Sequence, residues 1–138
     1  MSFEPVTYLA VLIAAVASFI VGALWYGALG RRWMRALGWS AAVTQANARM
    51  PAGPMVTSFV AVLVMAFVLR GVIGHLGPGA ATLRNGLISG LFIWAGFVVT
   101  TLAVNNACAR RSVMLSVIDA GHWLAVLLVQ GAIIGAMG

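Results

Sequence analysis

The sequence contains no lysine, two acidic residues and one cysteine among its 138 residues. Only 7% of the residues are charged and 63% are hydrophobic, whereas a water-soluble domain needs far more charge than this to cover its surface. The single cysteine, Cys108, excludes a disulfide within the chain and is typical of a small buried side chain. The composition therefore predicts a chain that has lipid as its main solvent.

Motifs for catalysis and cofactor binding are also lacking. The sequence has no glycine-rich phosphate loop, no C-x-x-C, no H-E-x-x-H and no nucleophile elbow. A metal site would have to combine His75 and Glu4, predicted on one side of the membrane, with Asp119 and His122, predicted toward the other. We therefore predict no cofactor, no metal site and no enzymatic activity. Nucleic acid is not a predicted partner either, because the eight arginines lie at the ends of apolar segments.

Four apolar segments are long enough to cross a bilayer. They are residues 6–29, 54–76, 83–108 and 113–137. Each would give roughly 34 Å or more of helix, which exceeds the thickness of the hydrocarbon layer. Pro54 suits a first helical turn, and Thr82 is placed to cap the third helix. We predict an all-α membrane protein with one transmembrane domain over residues 1–138, in which four transmembrane helices form an antiparallel bundle.

The first segment also resembles a secretory signal peptide in being apolar and N-terminal. It is long, however, with no positively charged region before it and no cleavage pattern after it. We therefore expect it to remain in the mature protein as a transmembrane helix.

Aromatic and basic residues follow the first segment in the stretch "LWYGALGRRWMRALGW", residues 24–39. The tryptophan and tyrosine at its start lie where an aromatic belt forms, and the arginines lie beyond them among headgroup phosphates. Helical spacing of its apolar residues predicts a short interfacial helical segment in the loop of residues 31–53, and a second short helix over residues 40–49. The predicted interfacial residues are Trp25, Tyr26, Arg31, Arg32, Trp33, Arg35, Arg110 and Arg111.

The distribution of positive charge predicts an orientation. The first loop holds Arg31, Arg32, Arg35 and Arg49, and the third loop holds Arg110 and Arg111. The other side has only Arg70 and Arg84. The positive-inside rule therefore places loops one and three in the cytoplasm and both termini outside. Abundant arginine and alanine without lysine favour a bacterial source, so the predicted location is a bacterial inner membrane.

Polar residues inside the predicted helices are the most informative feature of the sequence. Asp119 and His122 lie three residues apart on one face of the fourth helix, and Gln130 continues that face. The asparagines near the end of the third helix reach a similar depth. The predicted intramembrane polar cluster is Asp119, His122, Asn105, Asn106 and Gln130.

Two roles for this cluster remain open. Ionisable groups inside a membrane often relay protons or bind a cation or a polar headgroup. A structural network is the favoured alternative, in which Asp119 accepts hydrogen bonds and holds the helices in register. The expected donors to Asp119 are an asparagine, Tyr26, Trp25, Arg31 or Arg32.

Small residues spaced four apart predict close helix contacts. The pairs are Gly86 with Gly90, Gly131 with Gly135, and Ser18 with Gly22. Spacing alone does not separate contacts within one chain from contacts between chains, and we favour packing within the chain.

Several stretches are similar to the bacterial membrane family called Domain of Unknown Function 1761. The most specific is "GALWYGALGRRWMRALG", and "GFVVTTLAVN" and "DAGHWLAVLLVQGAIIG" support it. Its characteristic residues here are Trp25, Tyr26, Gly27, Trp33, Met34, Leu37 and Gly38. The resemblance covers nearly the whole chain and implies a small four-helix membrane protein without an assigned reaction. A faint internal similarity also links "GALWYG" with "GLFIWAG", and we give duplication little weight.

Three function classes follow from these patterns. The first is a non-enzymatic accessory or structural subunit that contacts membrane lipids and packs in a larger membrane complex or a homo-oligomer. The second is a small transporter, channel or lipid-binding protein that uses the polar cluster. The third, an enzyme acting on lipid, lacks an evident nucleophile or metal and ranks last.

Overall fold

The structure is a computed structural model that describes residues 5–46 and 52–138. Its helices are α1 (Pro5–Ala36), α2 (Ala41–Ala46), α3 (Ala52–Gly74), α4 (Leu83–Ile93), a π-helical segment (Trp94–Val98), α5 (Val99–Cys108) and α6 (Val113–Met137). Within the described ranges, α1, α3, the continuous stretch from α4 to α5, and α6 are each long and apolar enough to cross a membrane. We call these the first to fourth spans. The predicted fold class, an all-α membrane protein with four spans and a short helix after the first, is confirmed.

Helix α6 lies at the centre of the bundle. It packs most extensively against α1 and α4, and less against α5 and α3, while α3 packs mainly against α1. A hydrophobic core forms where these helices meet, and its buried residues are Val11, Ala14, Ala15, Val62, Ala66, Leu69, Ile73, Val126, Leu127 and Ile134. Small side chains on α1 allow the close approach of α6, which places the polar residues of α6 against α1.

The third and fourth spans approach until their backbones touch. A Cβ atom added at Gly86 would overlap the carbonyl oxygen of Gly131, and one added at Gly135 would overlap the carbonyl oxygen of Thr82. At Gly90 an added Cβ would lie 2.7 Å from the carbonyl oxygen of Leu127. The four glycines of the two G-x-x-x-G motifs therefore all lie at contacts within one chain.

Helix α1 continues to Ala36, about two turns past the predicted end of the first segment near residue 29. The helix ends in a Schellman motif, in which Gly38 has a φ of 80°. The amide of Gly38 donates to the carbonyl of Arg35, and the amide of Trp39 donates to that of Met34. Trp33 therefore belongs to α1 and faces α6, instead of lying in a separate interfacial segment.

Hydrogen bonds fix the ends of the later helices. Thr82 Oγ1 accepts a bond of 3.1 Å from the amide of Asn85, which confirms the predicted cap of the third span. Ser112 caps α6 by accepting from the amide of Leu115, and its hydroxyl donates to the carbonyl of Ala36 at 3.0 Å. This last bond joins the loop before α6 to the end of α1.

The loop before α6 and the end of α1 form what we call the arginine-rich end of the bundle. Arg111 Nη1 donates to the carbonyl of Leu37 at 3.4 Å, across the same junction. The exposed arginines at this end are Arg31, Arg32, Arg35, Arg110 and Arg111. Of the two short helices predicted in the first loop, the structure has α2, while Arg49 lies outside the described residues, as does Glu4.

Candidate functional site

Asp119 is the centre of the polar site. It lies about 10 Å along α6 from the start of that helix, and its side chain is partly buried. Its Oδ1 atom accepts hydrogen bonds from the hydroxyl of Tyr26 at 2.6 Å and from the indole Nε1 of Trp33 at 3.1 Å. The two donors are seven residues apart on α1 and therefore lie on one face of that helix. The site is thus formed at the interface of α1 and α6.

Two further tryptophans hold the backbone of α6 around Asp119. Trp25 Nε1 donates to the carbonyl of Ile118 at 3.1 Å, and Trp94 Nε1 donates to the carbonyl of Ala120 at 2.7 Å. Gly121 makes room for the first of these rings, because an added Cβ would lie 2.7 Å from Trp25. The backbone of α6 is therefore bound from α1 and from the third span on either side of the carboxylate.

His122 is buried beneath the same aromatic group. Its ring centroid lies 4.8 Å from that of Tyr26 and 4.5 Å from that of Trp123. A Cβ added at Gly22 would lie 2.8 Å from His122 Nε2, so glycine at that position admits the imidazole. Within the described part of the chain, His122 Nδ1 has no hydrogen-bond partner. The ring is enclosed by aromatic carbon and α1 backbone.

Gln130 makes a second polar contact, separate from that of Asp119. Its side chain is fully buried, and Nε2 donates to Ser18 Oγ at 3.0 Å and to the carbonyl of Val62 at 2.9 Å. These bonds tie α6 to both α1 and α3. Gln130 Oε1 has no partner among the described residues. The residue therefore combines two favourable bonds with one unsatisfied acceptor in an apolar core.

This balance predicts different outcomes for two substitutions of Gln130. Gln130→Leu loses two hydrogen bonds but also removes the unsatisfied carbonyl, so we expect a change in unfolding free energy of less than about 1 kcal/mol. Gln130→Glu places a carboxyl oxygen against the carbonyl of Val62, and we expect it to cost about 3 kcal/mol or more. Melting temperatures of the two variants in detergent would check this order. Equal melting of both variants would contradict it.

Within the described residues, neither asparagine is hydrogen-bonded to Asp119, whose donors are Tyr26 and Trp33. Asn106 Nδ2 donates to Ser116 Oγ at 2.9 Å and joins α5 to the first turn of α6. The side chain of Asn105 is exposed and points away from this contact. The reason is that one face of α5 meets α6, and adjacent residues on a helix point about 100° apart.

Arginine side chains also lie apart from Asp119. Within the described residues both hydrogen-bond donors to Asp119 are neutral, and no arginine forms an ion pair with it. Of the expected donors, Tyr26 bonds to Asp119, whereas Trp25 bonds to the α6 backbone. The carboxylate therefore has no cationic partner in the described part of the chain.

Two of the four aromatic donors, Trp33 and Trp94, are not evident from the sequence. Trp33 has the pattern of an interfacial residue, and Trp94 stands out only through the faint similarity of "GLFIWAG" to "GALWYG". The tryptophans of these two stretches, Trp25 and Trp94, donate to carbonyls of α6 two residues apart along the chain. The faint repeat is therefore the feature of the sequence that indicates a role for Trp94 like that of Trp25. Nothing in the apolar pattern indicates the π-helical turn that begins at this residue.

The family model described as "Protein of unknown function (DUF1761)" matches residues 9–135, a range that includes every residue of the site. No curated protein and no solved structure matches the chain. The resemblance predicted from the tryptophan-rich stretch of α1 is confirmed. The chain belongs to the DUF1761 family, for which the family model gives no function.

Proposed function

We propose that this integral membrane protein is a non-enzymatic accessory subunit that associates through its third span with a larger membrane complex or with a second copy. The observation that carries the proposal is the low burial of that span. Within the described chain, only 11% of the most apolar 18-residue stretch of this span is buried, against 39% of the corresponding stretch in the first and fourth spans. Its buried residues, Gly86, Ser89 and Gly90, are all in α4, and α5 has none.

The exposed side of the third span carries small residues. Gly96, Thr100, Ala103 and Ala107 recur every three or four residues, and all are exposed; we call them the third-span face. No atom lies within 4 Å of a Cβ added at Gly96. Because small residues let helix backbones approach closely in lipid, this face suits contact with another transmembrane helix. The other small-residue motifs are already used by contacts within the chain.

Asn105 supports the same proposal. Its side-chain amide is exposed one turn before the end of α5, and it makes no hydrogen bond within the described part of the chain. An amide carries two donor hydrogens and an acceptor, which a partner helix can satisfy in the membrane. Thr100, by contrast, already donates to the carbonyl of Gly96. The exposed amide of Asn105 is therefore available to a partner helix at the end of the third-span face.

The proposal predicts cross-linking from one side of the third span. Cysteines placed at Ala103 and Ala107, in a Cys108→Ser background, are expected to cross-link under mild oxidation in the native membrane. Val64→Cys in the same background is the matched control, because Val64 is 56% exposed and lies on α3, outside the third span. The cross-linked mass distinguishes the partners, since a doubled mass indicates a second copy and any other mass indicates a larger complex.

Two results would contradict association through this face. Equal cross-linking at Ala103 and Val64 would indicate random collision in the membrane. No cross-linking at Ala103 or Ala107, together with a monomeric native mass after mild solubilisation, would mean that the third span faces lipid.

We also propose that the arginine-rich end faces the cytoplasm of a bacterial inner membrane, with both termini outside. The five exposed arginines at this end support the orientation under the positive-inside rule, because three lie in the last two turns of α1 and two lie in the short loop before α6. At the opposite end of the spans, the described arginines are Arg70 and Arg84.

A second candidate function is transport or lipid binding through the polar site. The observation that favours it is the ionisable carboxyl group of Asp119, which has no cationic partner within the described residues. Residues that only hold helices together do not require an ionisable group, since amides and hydroxyls serve equally well.

A further inference from the structure

We propose that Asp119, Tyr26 and Trp33 bind a primary ammonium group whose neighbouring phosphate is held at the arginine-rich end. The ligand chemistry is that of an aminophospholipid headgroup or of its soluble phosphoester. The inference supplies a ligand for the second candidate function and does not depend on association through the third span.

The carboxylate of Asp119 has a free side. Both of its hydrogen bonds within the described chain end on Oδ1, so Oδ2 retains its capacity to accept. An ionised carboxylate below the headgroups needs a cation or several further donors to offset the loss of water. A primary ammonium group supplies a positive charge and three donor hydrogens in one ligand.

Aromatic rings form the wall of the site. The rings of Tyr26 and Trp33 meet at 73° with centroids 5.8 Å apart, and Trp33 meets Trp39 at 74° and 5.7 Å. A cation beside such rings is attracted by their faces, most strongly when it is shielded from water. Tyr26, Trp33 and Asp119 are all only partly buried, so the site is open at the surface of the bundle.

The spacing along α1 fits a phosphate next to the ammonium group. Trp33 contacts Asp119, and Leu37, four residues later, accepts a hydrogen bond from Arg111. Leu37 follows the last residue of α1, about one helical turn beyond Trp33, so the Arg111 guanidinium is held at the end of the helix that carries Trp33. Arginine binds phosphate oxygens through paired donors. A headgroup whose ammonium group is bound by Asp119 would therefore have exposed arginines of the arginine-rich end on its outer side.

The test is lipid binding to the purified full chain in detergent, measured by native mass spectrometry. The probes are phosphatidylethanolamine, phosphatidylcholine, which has a cation without N–H donors, and phosphatidylglycerol, which has no cation. We expect the first lipid to bind about tenfold more tightly than the other two, and Asp119→Asn to abolish this preference. The asparagine carbonyl can still accept from Tyr26 and Trp33, so the fold is retained.

Two further variants make the result specific. Arg111→Gln is expected to weaken the binding of all three lipids alike, because each carries a phosphate. Thr101→Val is the matched control, since the Thr101 hydroxyl bonds to its own helix at Phe97, and it should bind lipids as the unmodified chain does. The melting temperature of Asp119→Asn, measured alongside, separates loss of binding from loss of fold.

Soluble phosphoethanolamine distinguishes the two sources of the ligand. If it binds as tightly as the lipid and its binding also requires Asp119, the ammonium site is supported and the acyl chains add nothing, which favours the soluble compound as the source. If it does not compete, the site requires the lipid. Equal binding of all three lipids, or unchanged preference in a folded Asp119→Asn variant, would overturn the proposal and leave Asp119 a purely structural role.

Discussion

Replacing Gly86 with alanine is expected to destabilise the bundle by about 1–3 kcal/mol, and a larger residue by more. The reason is that a Cβ at this position would overlap the carbonyl oxygen of Gly131 in the facing helix. That oxygen belongs to the backbone of α6, so no side-chain rotation can relieve the overlap. The third and fourth spans would have to separate, and the neighbouring contact between Gly90 and Leu127 would weaken with them.

The matched control is Gly27→Ala. Gly27 also lies within a membrane-spanning helix, but a Cβ there would have no atom within 4 Å. This variant should melt at the same temperature as the unmodified chain or slightly higher, because alanine favours helix. Thermal unfolding of both variants in one detergent would test the difference. Equal melting temperatures of the two variants would show that the backbones of the third and fourth spans are not in contact.

The four-span architecture can be predicted from the sequence because lipid imposes a strict requirement. A chain in hydrocarbon has to satisfy its backbone hydrogen bonds internally, so long apolar segments become helices. Short polar interruptions such as "GHLGPGAAT" then mark the turns between them. Helix caps such as Thr82 can also be predicted from the sequence, because a cap depends on residues only a few positions apart.

The hydrogen-bond partners of the polar residues are harder to predict, because they depend on how each helix is rotated about its axis. Four apolar helices give weak periodicity, so the face that each one turns inward is poorly marked in the sequence. Asn105 and Asn106 are adjacent, and only one of them can face α6. Trp33 carries a further ambiguity, since a tryptophan beside arginines is equally typical of a membrane interface and of a buried hydrogen bond.

Glycine positions carried more structural information than the polar residues. Gly22 and Gly121 are placed where His122 and Trp25 need space, and Gly86 lies against Gly131. Spacing predicted that such residues pack helices, but not which ring or carbonyl each would meet. Those pairings depend on how far one helix is shifted along its axis relative to the other, and no local sequence pattern shows this shift.

The second large effect is expected at Asp119. Asp119→Ala removes the acceptor shared by Tyr26 and Trp33 and leaves both donors unpaired at a partly buried site, so we expect a loss of about 1–3 kcal/mol of stability. Tyr26→Phe removes one donor and leaves the bond from Trp33 in place, and it should cost less. The measurement is reversible unfolding in mixed detergents, monitored by tryptophan fluorescence, since Trp25 and Trp33 lie at the site.

The double variant Asp119→Ala with Tyr26→Phe decides whether the carboxylate and the tyrosine hydroxyl interact. If the Tyr26 hydroxyl bonds to Asp119, removing both partners should cost about 0.6–1.7 kcal/mol less than the sum of the single losses, because no unpaired hydroxyl remains. Tyr26→Phe combined with Thr101→Val is the control pair and should be additive, since Thr101 bonds to its own helix. Additivity in the Asp119 pair as well would mean that the hydroxyl has another acceptor. The carboxylate would then be held by Trp33 alone, and α1 would be joined to α6 at this height chiefly by indole donors.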